Sequence, residues 1–121
     1  MIECIAVGLG GFIGAVLRYL MGLIPLREDF SFPVKTLAVN ILGAFAIGLI
    51  AALAAKRPDL NPRLILFLKT GICGGFTTFS TFALETVELY HAGNPMQAVL
   101  YVLLSVILGI AAVLAAQVLI R

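Results

Sequence analysis

Hydrophobic positions fall into four long runs, approximately residues 4–24, 36–55, 64–90 and 97–120, separated by short polar stretches. A membrane-spanning helix needs about 20 mostly apolar residues, and each run reaches that length. The pattern predicts an all-α membrane protein: a single four-helix domain over residues 1–121, with no length left for a soluble one.

The third run departs from the others. Between Thr70 and Glu85 it reads Thr-Gly-Ile-Cys-Gly-Gly-Phe-Thr-Thr-Phe-Ser-Thr-Phe-Ala-Leu-Glu. Gly74-Gly75 weakens a helix, the hydroxyl residues Thr77, Thr78, Ser80 and Thr81 follow, and Phe76, Phe79 and Phe82 recur every third position. This predicts a third helix broken at Gly74-Gly75. Non-helical backbone at membrane depth persists only where protein buries it or it lines a wet cavity. The stretch is therefore either a packed joint or part of a permeation path.

In the first run, Gly10 and Gly14 form a small-residue face that lets another helix approach closely. The glycine spacing and the lack of a preceding strand exclude a dinucleotide loop. Arg18 follows the apolar or glycine positions Ile5–Leu17. It either snorkels to the interface or lines a water-filled vestibule that attracts anions. Thr36 and Asn40 are the polar side chains of the second run, where Ala44 and Gly48 supply another small-residue face. Asn40 can donate two hydrogen bonds; as a helix–helix clasp it contributes about 0.6–2 kcal/mol. Lys69 precedes the Gly-Gly pair, Glu85 and Glu88 lie towards the far end of the third run, and Tyr101 and Ser105 share one face of the fourth.

The connections are Pro25–Pro33, carrying Arg27, Glu28 and Asp29 with Phe30 and Phe32 expected at the interface; Lys56–Arg63, with Pro58 and Pro62 as breakers; and a turn at His91–Pro95. His91 is expected as an exposed loop residue.

Composition agrees with a membrane domain: 62% hydrophobic, 12% charged and a mean hydropathy of +1.14, against about a quarter charged in soluble domains. The net charge of +2 is scattered, which argues against nucleic acid as a partner. Cys4 and Cys73 have no metal-ligand spacing and sit at different depths, so both read as small packing residues. The first residues, Met-Ile-Glu-Cys, lack a basic region and read as a retained first helix. If both termini share a side, Lys56, Arg57, Arg63, Lys69 and Arg121 face Arg18, Arg27 and Lys35 across the membrane. The positive-inside rule then favours cytoplasmic termini, by a margin small enough to fit insertion in both directions.

Gly74–Phe82, after Thr70-Gly71-Ile72-Cys73, closely resembles the signature of the CrcB/Fluc fluoride channels. The likeness extends to Thr36-Leu37-Ala38-Val39-Asn40, Arg18-Tyr19 and the Tyr101/Ser105 pair, while Gly109 stands where some relatives carry a serine. The resemblance implies an antiparallel, dual-topology homodimer in a bacterial-type inner (plasma) membrane, with two pores each lined by both subunits. It also implies a structural Na+ at the dimer axis, held by the main-chain carbonyls of Gly74 and Thr77. Phe79 and Phe82 would contact the anion, with Asn40 a donor beside them. Ser80, Thr81, Thr36, Tyr101, Ser105 and Glu85 would form or support a polar track, and Arg18 would line the vestibule.

The chemistry suits such a lane. A pore for fluoride must replace hydration water without trapping the ion. Aromatic rims are electropositive, so Phe79 and Phe82 can face the ion with weak attraction while Asn40, Ser80 and Thr81 supply stronger donors. Carbonyl oxygens freed at a helix break are hard ligands for Na+, K+ or Ca2+, and four neutral ones, two per subunit, favour a monovalent ion.

Three function classes compete. A passive fluoride channel would let the membrane potential drive out fluoride that entered as HF, reducing cytoplasmic toxicity, and the chain has no P-loop for ATP. A proton-coupled small-solute exporter of the small multidrug type needs a buried carboxylate in the first span, where the chain has only Glu3 at the edge, and the chain has no Trp. A membrane scaffold would use the Phe and hydroxyl residues for packing alone. An enzyme is disfavoured, because no nucleophile–base pair is apparent.

Overall fold

The computed structural model describes residues 1–26 and 32–121. Arg27, Glu28, Asp29 and Phe30, expected in the first loop, lie outside the described residues. Four spans follow in order: α1 (Ile2–Gly22), α2 (Val34–Lys56), a composite third span, and α6 (Pro95–Ile120). The third comprises α3 (Pro62–Ile65), a π-helical stretch (Leu66–Cys73), α4 (Gly74–Phe76) and α5 (Phe79–His91). All four are long and apolar enough to cross a membrane.

Each span begins two residues before its expected start. Proline explains two of these shifts. Pro62 and Pro95 occupy the first helical turn, where the missing N–H is no loss and the fixed φ suits the helix. Pro62, expected as a breaker in the Lys56–Arg63 loop, therefore starts the third span instead. The Asn61 side chain caps the same helix by accepting from the Arg63 amide at 2.9 Å.

The helix break lies at Thr77-Thr78, and this corrects the expected position at Gly74-Gly75. Gly74 is helical (φ −64°, ψ −37°), whereas Thr77 (φ −82°, ψ 157°) and Thr78 (φ −147°, ψ 122°) are extended. The threonines stop one helix and start the next. Thr77 directs both its amide (3.1 Å) and its hydroxyl (3.0 Å) at the Cys73 carbonyl. Thr78 Oγ1 accepts from the Thr81 amide at 3.2 Å, capping α5. Such local hydroxyl bonds compete with a continuous helix ladder.

The glycines instead permit close approach. A Cβ on Gly75 would lie 2.9 Å from Gly11 Cα, and one on Gly10 would lie 2.8 Å from Gly71 Cα. α1 thus packs backbone-to-backbone on the π-helical stretch and α4, while α2 packs on α6. At the second interface Gly48 meets Ala116, whose Cβ would lie 2.9 Å from a Cβ placed on Gly48. With lipid as apolar as leucine, such van der Waals contact between small residues drives helix association. The buried core accordingly holds Ala98, Ala112, Ala116 and Cys73, while Phe12, Leu103, Ile107 and Leu119 face outward.

Outside the membrane, Arg57 chelates Asp59 through two bonds of 3.1 Å. Those bonds hold the Asp59 carboxyl below the usual carboxylate range. Glu3 and Arg63 tie α1 to α3 at 3.3 Å.

Candidate functional site

The break is stapled from the side by α2. Asn40 exchanges two hydrogen bonds with the Thr78 main chain, so its carboxamide takes the place of a neighbouring backbone unit. On the opposite flank, Arg18 Nε donates to the Gly75 carbonyl at 3.3 Å. Arg18 is half-buried and also lines a hollow with Thr36 and Thr81. It closes one acceptor left by the interrupted ladder.

Other acceptors at the break lack helical donors. In a continuous helix the Thr78 amide would serve the Gly74 carbonyl, but it is engaged by Asn40. The Thr77 carbonyl points from an extended residue. Among the described residues no three His, Cys, Asp or Glu side chains converge, so neutral main-chain oxygens are the hard ligands that this region offers. Carbonyl oxygens are hard ligands that suit hard cations.

A row of rings runs from the break towards α6. Phe79 and Phe82 have centroids 5.6 Å apart, Phe82 and Tyr101 5.1 Å, and Phe32 stands edge-on to Tyr101 at 5.5 Å. Phe79 is 80% exposed and Tyr101 fully buried, so the row passes from the protein surface into the subunit. The Tyr101 hydroxyl donates to Glu85 Oε1 at 3.4 Å. Thr36 faces the same pair.

Three hollows divide the predicted residues. A groove of about 380 Å³ is lined by Asn40, Gly74, Thr77, Phe79, Phe82 and Ser105. Ser105 Oγ is buried there without a hydrogen-bond partner. A second hollow, of about 300 Å³, holds Arg18, Thr36 and Thr81. A third, of about 280 Å³, contains Glu85 with Glu88 and Phe32. Ser80 is exposed, 3.5 Å from the Thr78 hydroxyl.

Sequence reasoning missed two residues. Thr78 lines both of the larger hollows; the hydroxyl run contained it, but nothing in one dimension distinguished it from Thr77 or Thr81. Lys35 lines the second hollow, where in the sequence it reads only as a charge beside the first loop. The groove combines aromatic rims, a carboxamide and an unpartnered hydroxyl. It can hold a small anion weakly and has no nucleophile–base pair for covalent chemistry.

Residues 5–117 match the family model described as CrcB-like protein, Camphor Resistance (CrcB). The chain belongs to the CrcB family. Among relatives of this CrcB chain, one from Azobacteroides pseudotrichonymphae is 50% identical over 109 residues, covering 89% of this chain and 87% of its own. One from Agrobacterium fabrum is 47% identical over 116 residues (95% and 93%), and one from a Methylobacterium species is 45% identical over 121 residues (100% and 98%). Each of the three is named a fluoride-specific ion channel. With four spans, the CrcB chain is a multi-pass membrane protein, and its bacterial relatives place the family in the plasma membrane. The family is one of transporters and not of enzymes.

Proposed function

We propose that this CrcB chain is a passive, fluoride-selective channel. It lets the membrane potential expel fluoride released when HF dissociates inside the cell. The observation that carries this reading is the buried, unpartnered Ser105 hydroxyl in the groove that Phe79, Phe82 and Asn40 line. A buried donor without an acceptor costs about 1–3 kcal/mol, and an anion in the groove would relieve that cost once the Ser105 side chain turned towards it. The rims of Phe79 and Phe82 attract a halide without trapping it. Fluoride then moves between weak and stronger donors, as conduction demands. Ser80, Thr81, Thr36, Tyr101, Ser105 and Glu85 extend or support the polar track.

The working unit is an antiparallel, dual-topology homodimer with two pores. Phe79 is exposed on one subunit, and a second copy would close the open side of the groove around it. The carbonyls of Gly74 and Thr77 from both subunits would hold Na+ at the axis. Bound there, the ion would neutralise acceptors left by the break and keep the midplane positive.

The test is efflux from liposomes loaded with fluoride or chloride. Rapid voltage-driven fluoride efflux without chloride efflux is expected. Fluoride movement that strictly requires a pH gradient would instead make this a coupled exporter of the small multidrug type. Well-folded protein that moves no fluoride would leave a scaffold.

A further inference from the structure

Lys35 stands in the first turn of α2, and its Nζ donates to the carbonyl of Gly22, the last residue of α1, at 2.8 Å. A helix C-terminus carries about half a negative elementary charge on its unsatisfied carbonyls. α1 has no basic residue in its own last turn. Without Lys35, that negative end would border the hollow of about 300 Å³ lined by Gly22, Arg18, Thr36 and Thr81.

The full positive charge of Lys35 outweighs the half-negative end of α1, and the surplus lies at the same hollow as Arg18, whose Nε is engaged by Gly75. Among the described residues lining the hollow none is acidic. Thr78 borders both this hollow and the groove with the phenylalanines, so the mouth adjoins the lane. A concave site of one charge sign with low-dielectric walls concentrates counter-ions and raises their arrival rate.

We infer that Lys35 sets the rate at which anions enter the lane by making the mouth beside Arg18 electropositive. This rests on the channel reading above. It assigns Lys35 an electrostatic role that its bond to Gly22, taken as a structural tie, does not require.

Screening separates the two roles, because the Debye length falls from about 30 Å at 0.01 M ionic strength to about 3 Å at 1 M. Wild-type protein, Lys35→Met and Lys35→Arg are reconstituted in neutral phosphatidylcholine liposomes. Voltage-driven fluoride efflux is then measured at both ionic strengths, set with an impermeant salt. The expected result is a loss of about three- to tenfold for Lys35→Met at low ionic strength, shrinking to within about twofold at high. Lys35→Arg keeps wild-type flux at both. An equal deficit at both strengths makes Lys35 a structural tie, and no deficit at either removes it from ion entry; both outcomes overturn the inference. If Lys35→Met does not fold, Lys35→Gln is measured in its place at both ionic strengths, with the same outcomes supporting or overturning the inference. Wild-type protein that passes no fluoride at either strength would sink the channel reading itself.

Discussion

Asn40 Nδ2 donates to the Thr78 carbonyl at 3.0 Å, and Asn40 Oδ1 accepts from the Thr78 amide at 2.8 Å. This reciprocal pair binds α2 to the one place where the third span has no helix ladder. Asn40→Ala leaves both Thr78 groups without partners, at about 1–3 kcal/mol for each. Asn40→Asp keeps the acceptor but turns an oxygen towards the Thr78 carbonyl. Both variants should unfold in detergent at lower temperature than wild type. A wild-type melting temperature for Asn40→Ala would show that the pairing does not hold the break.

Phe79 and Phe82 sit side by side yet differ in burial. Phe79 is exposed within the subunit, whereas Phe82 packs on Tyr101. Replacing either with isoleucine removes the electropositive rim and should cut fluoride flux tenfold or more, equivalent to about 1.4 kcal/mol of barrier. Phe82→Ile should also lower the melting temperature, because it loses ring packing. Unchanged flux in both variants would take these rings out of the ion path.

Gly75 and Gly8 give opposite expectations for the same substitution. A Cβ on Gly75 meets Gly11 Cα at 2.9 Å and Gly11 C at 3.1 Å, whereas one on Gly8 meets nothing within 4 Å. Backbone cannot turn aside as a side chain can. Gly75→Ala should therefore cost about 1–3 kcal/mol of overpacking, while Gly8→Ala should be neutral or stabilising by about 0.5–1 kcal/mol. Thermal unfolding of the two variants checks the order, and equal stabilities would refute the close packing of α1 on α4.

Ser105 separates stability from transport. Its hydroxyl is buried without a partner, so Ser105→Ala removes a desolvated group and should leave the melting temperature unchanged or raised. If the hydroxyl faces the ion, the same variant loses about tenfold in flux, again about 1.4 kcal/mol. Lower stability with full flux would assign Ser105 to packing.

Much of this arrangement was legible in one dimension. Four apolar runs matched four spans, and the Gly/Thr/Phe stretch marked the interrupted one. The exact interruption was not legible. Gly74-Gly75 has the weaker helix propensity, yet the pair is helical, and the missing side chain of Gly75 serves close contact with Gly11. Thr77 and Thr78, less unfavourable than glycine on a propensity scale, end the ladder because their hydroxyls find local acceptors and donors.

The amino-acid order by itself determined that this chain spans a membrane four times, because hydrocarbon demands long apolar runs whose backbone groups are satisfied within each helix. It also placed the run of glycine, hydroxyl and phenylalanine residues within one interrupted span. Only the tertiary structure decided that Arg18 closes Gly75, that Asn40 replaces a backbone partner for Thr78, and that Lys35 covers the end of α1. These partners are 57, 38 and 13 residues apart along the chain. Which donor reaches which carbonyl is set by how closely glycine and alanine let the helices pack, a quantity that no local pattern contains.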